Sequence, residues 1–436
     1  MASIRRILDR QQLPDQASLI GVFAFALAAR WCVAVYRLGP DFDFGDIVAS
    51  VIANNLLAGY DYSFDPPVPT GYPPWGYVSF LVVHKSVFGT GSVGYAGLAA
   101  IAAVGALNAS LCALLGRMLF DMRVGVVAGG LYALTPYLAS QELAETGLLN
   151  STLLLALLAT LAHVRSARRG WAAVAGLFSG WAYLIRPEIA LVPITLAAVM
   201  ATSGARRIAR DRMVAAAVFA AVALIVVGPW IVRNWMVFGR FLPAHSTPAV
   251  ALWQGSHPRA FEIYPEYSLD EIFEYTGEGP PAGLDELTAN DWLAREAWQN
   301  ISANPGFYIA GSVRRWLLLW DWRLVYRLER ARVGDRTVSG PRPPHDHFAY
   351  TLPYVLTAVL ALGGLIRIRH RLRLVAVGTI LVAAYTLPHA LTLSYTRYRM
   401  RIEFMLILLA AVQAIALIDW NTRRRHPQVA TPSAAS

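Results

Sequence analysis

Long apolar runs cut by short blocks of arginine constrain this chain more than any other feature it carries. The runs fall at about 17–38, 93–116, 124–140, 147–164, 171–186, 189–203, 213–231, 349–366, 374–394 and 403–420. Most approach the ~20 residues that a helix needs to cross a bilayer. Hydrocarbon offers no partner to a backbone N–H or C=O, so apolar runs of this kind cross as helices. The sequence therefore predicts an all-α polytopic membrane protein with about ten transmembrane helices. A hydrophobic content of 56% and a mean hydropathy of +0.44 exclude an ordinary soluble domain.

Sidedness follows from the arginines. The blocks Arg5/Arg6, Arg117/Arg123, Arg165/Arg168/Arg169, Arg206/Arg207/Arg210/Arg212, Arg367/Arg369/Arg371/Arg373 and Arg423/Arg424/Arg425 occupy alternate connections. Short basic connections stay in the cytoplasm. The acids after the first span, the Glu142–Glu145 turn and the segment 232–348 then share the opposite side. The same pattern accounts for the net charge of +10 without a nucleic-acid partner. Cys32 and Cys112 lie in apolar runs, so no disulfide framework is expected. The basic N-terminus lacks a small-residue cleavage site and reads as an uncleaved signal-anchor. The segment Pro73–Gly89 is apolar but short, and counting it as a span would invert every later connection. It is read as re-entrant or interfacial.

The chain divides into an N-terminal transmembrane module 1–231 with a first extramembrane loop 39–92, a long loop 232–348, C-terminal transmembrane helices 349–420 and a disordered cytoplasmic tail 421–436. Within the long loop, residues 260–300 are acidic, and 305–330 mix Trp, Tyr and Arg as an interfacial amphipathic helix does.

Soluble-enzyme signatures are missing. The sequence has no Walker loop, no glycine fingerprint, no GxSxG and no HExxH, and His345 and His347 read as a structural or exposed pair. What remains are acids and arginines beside the bilayer, where ionisable groups are costly to place and mark functional sites. Asp41, Asp43 and Asp46 cluster after the first span. Asp46, Ser50 and Asn54 share one helical face, and Ile47, Val48, Val51, Ile52 and Leu56 make the other. This predicts a helix on the membrane surface with a carboxylate at its N-terminus, either catalytic or placed for the helix dipole. Arg30 lies inside the first span. Glu145, Arg233, Arg397 and Arg399 lie at the non-cytoplasmic interface, where arginines can also be headgroup anchors.

Several stretches resemble the GT-C glycosyltransferases, nearest the bacterial protein-mannosyltransferase-like and lipopolysaccharide-modifying branch. NLLAGYDYS followed by PTGYPPWGY resembles the first periplasmic loop of that family. LAETGLLNSTLLLALL, AGLFSGWAYLIRPE, the series from GPWIVRNW to QGSHP, and TRYRMRIEFMLILLAA resemble later segments, in order, over about 17–420. The resemblance implies a polyprenyl-phosphate-linked sugar donor, a hydroxyl acceptor on lipopolysaccharide, another glycan or a protein, and an active site on the periplasmic face of a bacterial inner membrane. Asp46 becomes the general base, with Asp43 as the alternative if the register slips. Arg233, Arg397 and Arg399 become ligands of the donor phosphate. Arg30 either reaches that phosphate or pairs with Glu145, and Glu145 orients the acceptor or closes a helix end. His84 and Lys85 line the lipid groove. No cofactor is required; a divalent cation is possible, although no ligand spacing compels one.

The chain also departs from the family. Asp46 precedes Ile47-Val48-Ala49-Ser50 rather than a polar run, and Arg401 and Phe404 stand where relatives tend to carry prolines. A transporter or lipid flippase is the alternative, since many spans with internal charge describe one too. It would show paired halves, and the sequence shows none. Membrane-bound acyl transfer would call for a histidine at the membrane centre.

Overall fold

The computed structural model describes residues 2–37, 47–91, 94–136, 138, 145–203, 208–264, 269–322, 328–333, 336–341 and 347–425, almost all of them helical. The first apolar run forms α1 (Ala2–Arg37), followed by α2 (Ile47–Leu57) and α3 (Trp75–Phe88). The N-terminal bundle continues with α4 (Gly94–Leu119), α5 (Met122–Leu134), α6 (Glu145–Ser166) and α7 (Arg169–Ile185). A 3-10 turn (Pro187–Ile189) leads into α8 (Leu191–Thr202) and α9 (Ala209–Phe238). Beyond it lie α10 (Ala249–Ser256), α11 (Ala260–Ile263), α12 (Ile272–Thr276), α13 (Glu286–Ala303) and α14 (Pro305–Leu319). An antiparallel hairpin, β1 (Leu328–Val333) with β2 (Arg336–Pro341), precedes α15 (His347–Ile368), α16 (Leu372–Leu391), α17 (Thr396–Arg399) and α18 (Glu403–Arg425).

Local chemistry sets several boundaries. Asp121 caps α5 by accepting from Val124 N at 2.9 Å, and Asp285 caps α13 through Leu287 N and Thr288 N. Pro187 disfavours helical geometry at the residue before it, so α7 ends there and Arg186 is extended (φ −145°, ψ 101°). Gly239, left-handed at φ 64°, stops α9.

Among the described residues seven helices are long and apolar enough to cross a membrane, within 15–36, 94–119, 145–166, 209–238, 351–368, 372–391 and 403–424. The chain is a multi-pass membrane protein. The other three expected spans are helical but short: α5 has 13 residues, α7 has 17 and α8 has 12. At 1.5 Å per residue α5 is only about 20 Å long, against ~30 Å of hydrocarbon. The segment 73–89 is helical too, and it buries Tyr77, Val78 and Leu81 against α7 instead of standing alone. Two expectations need correction. The run 305–330 is not one helix, because α14 stops at Leu319 and residues 328–333 are a strand. The tail is helical as far as Arg425.

Apolar side chains sort into three cores. One joins α2, α3 and α6–α9 with α16, and a second joins α1, α4, α5 and α6 with α18. A third lies outside the apolar spans, where Trp253, Ile263, Tyr264, Leu269 and Leu293 pack with Leu393. Glycines permit the closest helix contacts. Gly176 and Gly180, four apart on α7, sit against the backbone of Phe219 and Ala223 on α9, the small-residue packing that membrane helices favour.

The two ends of the bundle differ in chemistry. At one end arginines bind acids and helix termini: Arg117 with Asp15 (2.6 Å), Arg169 with Asp211 (3.2 Å), Arg123 with Asp419, and Arg165 with the Met118 carbonyl. At the other end the first loop meets the long segment. Glu286 accepts from Thr70 Oγ1 (3.2 Å), Gly71 N (3.4 Å) and Ser246 Oγ, while Trp230 Nε1 donates to the Ala244 carbonyl at 2.7 Å. The two segments therefore share one end, as the arginine alternation requires. The polar face expected on α2 is turned inward instead: Ser50 is buried beside Ala49, Ile52 and Ala53, because the small residues of that helix form its packing face.

Candidate active site

Four charged side chains from three separate stretches meet where the first loop and the long segment converge. Glu145 opens α6, Arg186 ends α7, Glu188 lies in the turn after it, and Arg401 follows α17. Arg186 binds Glu145 Oε1 at close range, and Arg401 Nη2 reaches the same oxygen at 2.9 Å. Arg186 also lies 3.6 Å from Glu188. Burial makes the network consequential: the Glu145 and Arg401 side chains are 9% and 5% exposed. Isolated charges there would be costly, and pairing offsets most of that cost.

Aromatic rings enclose the network. Arg401 lies 5.0 Å over Tyr398. His389, on the last turn of α16, stacks on Tyr398 (4.6 Å between centroids) and lies 5.0 Å from Tyr385. Tyr385 donates to the Tyr398 carbonyl at 2.8 Å. Tyr72 from the first loop packs edge-on against His245 from the long segment at 5.4 Å, near enough to Arg186 for both to feel its charge. Burial holds the His245 imidazole below its ordinary pKa, with Glu188 pulling the other way. Among the described residues three buried atoms of the network have no hydrogen-bond partner: Arg401 Nε, Glu188 Oε2 and His389 Nε2. One donor, one acceptor and one ring nitrogen of either role make a mixed lining.

The residues singled out from sequence are distributed unevenly around this network. Asp41, Asp43 and Asp46 lie outside the described residues; α2 begins at the next residue, Ile47. Glu145 sits at the centre. Arg30, expected to reach a phosphate or pair with Glu145, instead donates to the Tyr132 carbonyl at 2.6 Å and lies over that ring, while Glu145 takes Arg186 and Arg401. Arg233 donates to the carbonyls of Thr70 (2.7 Å) and Tyr62 (3.2 Å), which fastens the first loop to α9. Arg399 is wholly buried, bonded to Glu403 (3.0 Å) and to the carbonyls of Leu319 and Asp321. Arg397 lies over Tyr395 and Tyr398, on the rim of the network. His84 and Lys85 are buried on α3, with His84 4.9 Å from the Phe88 ring. Among the described residues no group of three or more His, Cys, Asp or Glu is placed to hold a metal ion.

Sequence reading missed Arg186, Glu188, His389 and Arg401 as site residues. Two signals were present. A charged pair bracketing a helix-ending proline, Arg186-Pro187-Glu188, and an arginine in place of the family's usual proline, Arg401, both stand in the sequence.

The family model for dolichyl-phosphate-mannose-protein mannosyltransferases matches residues 78–232. No curated protein matches the chain significantly. Among solved structures, an Archaeoglobus fulgidus oligosaccharyltransferase tethered to an acceptor peptide is similar at a TM-score of 0.51 and 16% identity, over 94% of this chain and 51% of that one. The same organism's AglB in complex with an inhibitory peptide and a dolichol-phosphate is similar at 0.49 and 17%, over 96% and 52%. ArnT from Cupriavidus metallidurans bound to undecaprenyl phosphate gives 0.39 and 16%, over 95% and 81%. The chain spans about half the length of the archaeal proteins. Its fold is similar to that of the archaeal oligosaccharyltransferase.

Proposed function

We propose that this chain transfers a sugar from a polyprenyl-phosphate donor to a hydroxyl of an envelope acceptor, at the periplasmic face of a bacterial inner membrane. The observation that carries the reading is the convergence of Arg186 and Arg401 on buried Glu145, at the end where the first loop and the long segment meet. In the reaction the bond from the sugar's anomeric carbon to the phosphate oxygen breaks, the acceptor oxygen bonds to that carbon, and its proton passes to a carboxylate. Asp46, or Asp43 three residues earlier in the sequence, is the proton acceptor in this scheme. The phosphate leaves as an anion, and an arginine's planar fork suits that charge in a poorly hydrated site. Arg186 and Arg401 take this role, Arg397 on the rim assists, and Glu145 keeps the guanidinium groups oriented between turnovers. Arg233 anchors the loop and Arg399 the fold. Arg401 Nε, Glu188 Oε2 and His389 Nε2 suit the vicinal hydroxyls of a neutral sugar, which both donate and accept. His84 and Lys85 line the path of the lipid. Lipopolysaccharide, another glycan and a protein all remain acceptors of suitable chemistry.

Purified protein supplied with a polyprenyl-phosphate sugar and envelope extract tests the scheme. Asp46→Asn keeps shape but cannot take a proton, so transfer should fall by about 10² or more while donor binding holds. Should Asp43→Asn be the inactive variant instead, the base moves and the mechanism stands. Transfer at the parental rate by both variants and by the double variant would favour a transporter.

A further inference from the structure

A second polar site lies at the far end of the bundle, where the arginine blocks gather. A cleft of about 250 Å³ opens there between α5, the last turn of α15 and α18, lined by Phe120, Val124, Arg367, Arg371, Ile415 and Asp419, among others. Its acids are already engaged. Asp419 is bound bidentately by Arg123 (2.5 and 3.3 Å), and Asp121 caps α5. The two arginines have no carboxylate partner among the described residues. Arg367 Nε donates to Gln413 Oε1 at 2.7 Å, and Arg371 Nη1 donates to the Leu119 carbonyl at 3.2 Å. Each bond takes one nitrogen of its guanidinium, Arg371 also lies 5.4 Å over the Phe120 ring, and both arginines line the cleft. With Arg123 balancing Asp419, the site carries an excess of positive charge.

Its surroundings identify the kind of anion. Ile366 (52% exposed), Leu372 (74%) and Ile418 (50%) are next in sequence to the cleft residues Arg367, Arg371 and Asp419, and Trp420 (53%), under Arg424, follows Asp419. Cleft arginines whose sequence neighbours are exposed apolar residues and a tryptophan match a phosphate group attached to acyl chains. Basic pockets between membrane helices recognise anionic lipid headgroups by the same means. We propose that this cleft binds the headgroup of an anionic phospholipid, with Arg367 and Arg371 holding the phosphate and α15 and α18 supporting the chains. The site is independent of the glycosyl-transfer reading.

The test uses the full-length protein, reconstituted in nanodiscs of phosphatidylcholine with and without phosphatidylglycerol, with retained lipid counted by native mass spectrometry. Phosphatidylglycerol should be retained saturably, and Arg367→Gln with Arg371→Gln should weaken retention about tenfold. Arg369→Gln with Arg373→Gln removes equal charge from the same connection but outside the cleft, and it should leave retention unchanged. Ala416→Trp fills the cleft without altering charge and should also abolish retention, which keeps the proposal testable if the arginine pair is needed for folding. Equal retention of phosphatidylcholine, equal loss in the two arginine pairs, or equal displacement by inorganic phosphate at matched concentration would each overturn it.

Discussion

Arg399 and Arg397 sit two residues apart, and the physics of their surroundings separates them. Arg399 and Glu403 are both fully buried and bonded to each other. Removing one partner strands the other charge, which costs about 3–5 kcal/mol. Arg399→Leu should therefore lower the thermal midpoint in detergent sharply and reduce expression. Arg397→Lys should keep the parental midpoint while weakening donor binding, because the charge stays and the planar fork is lost. Ligand-dependent thermal shift separates the two outcomes. From sequence these arginines were indistinguishable, since a Thr-Arg-Tyr-Arg run gives charge but not depth. Glu145 stood out in the sequence because an acid at the start of an apolar helix is costly to place, and the structure gives it two arginine partners. Its partners did not stand out, because Arg186 and Arg401 reach it from 41 and 256 positions away in the sequence.

Among the elements, α7 shows why the bundle's order matters more than its composition. A Cβ on Gly176 would fall on the Phe219 carbonyl, and one on Gly180 would come within 2.9 Å of the Ala223 carbonyl. Gly176→Leu should force α7 and α9 apart and destabilise the protein by about 1–3 kcal/mol or more. Since α7 ends at Arg186, the same change should also reduce sugar transfer. A retained activity with a parental melting midpoint would show that the contact is dispensable. Helices as elements were readable from apolar runs and proline stops. Their effective lengths were less so, because Thr135 and Pro136 follow α5 within a stretch whose hydropathy continues. Ser50 illustrates the same limit: alternation of polar and apolar residues on α2 suggested an outward polar face, whereas small side chains decided the packing face.

For the whole molecule, the prediction concerns sides. With Cys32 and Cys112 replaced, cysteines at exposed Asp65 and Ala282 should react with an impermeant reagent from the same side of sealed vesicles. A cysteine at Arg369 should react only from the other side. Labelling of positions 65 and 282 from opposite sides would break both the topology and the catalytic scheme. That the first loop and the long segment share an end was legible in the sequence, since the arginine blocks alternate with them. The length of the long segment suggested more than a passive connector, and the segment holds a hydrophobic core outside the apolar spans. Its attachment was not legible, because Arg315 and Tyr308 bind the C-terminal end of α16 through the carbonyls of Ala390 and Leu391, and only Trp316 meets a side chain there, that of Thr386.

The grip on the first loop has a consequence for engineering. Arg233 holds Thr70 and Tyr62 by their carbonyls, and Glu286 takes the Gly71 amide, so these anchors fasten main chain rather than the side chains in between. Residues 64–69 are thus an exchangeable cassette. Transplanting a loop of equal length there, with Thr70 and Ser63 kept, should preserve docking while changing the surface offered to incoming substrate. Acceptor choice would then evolve by swapping a short passage of text inside fixed quotation marks.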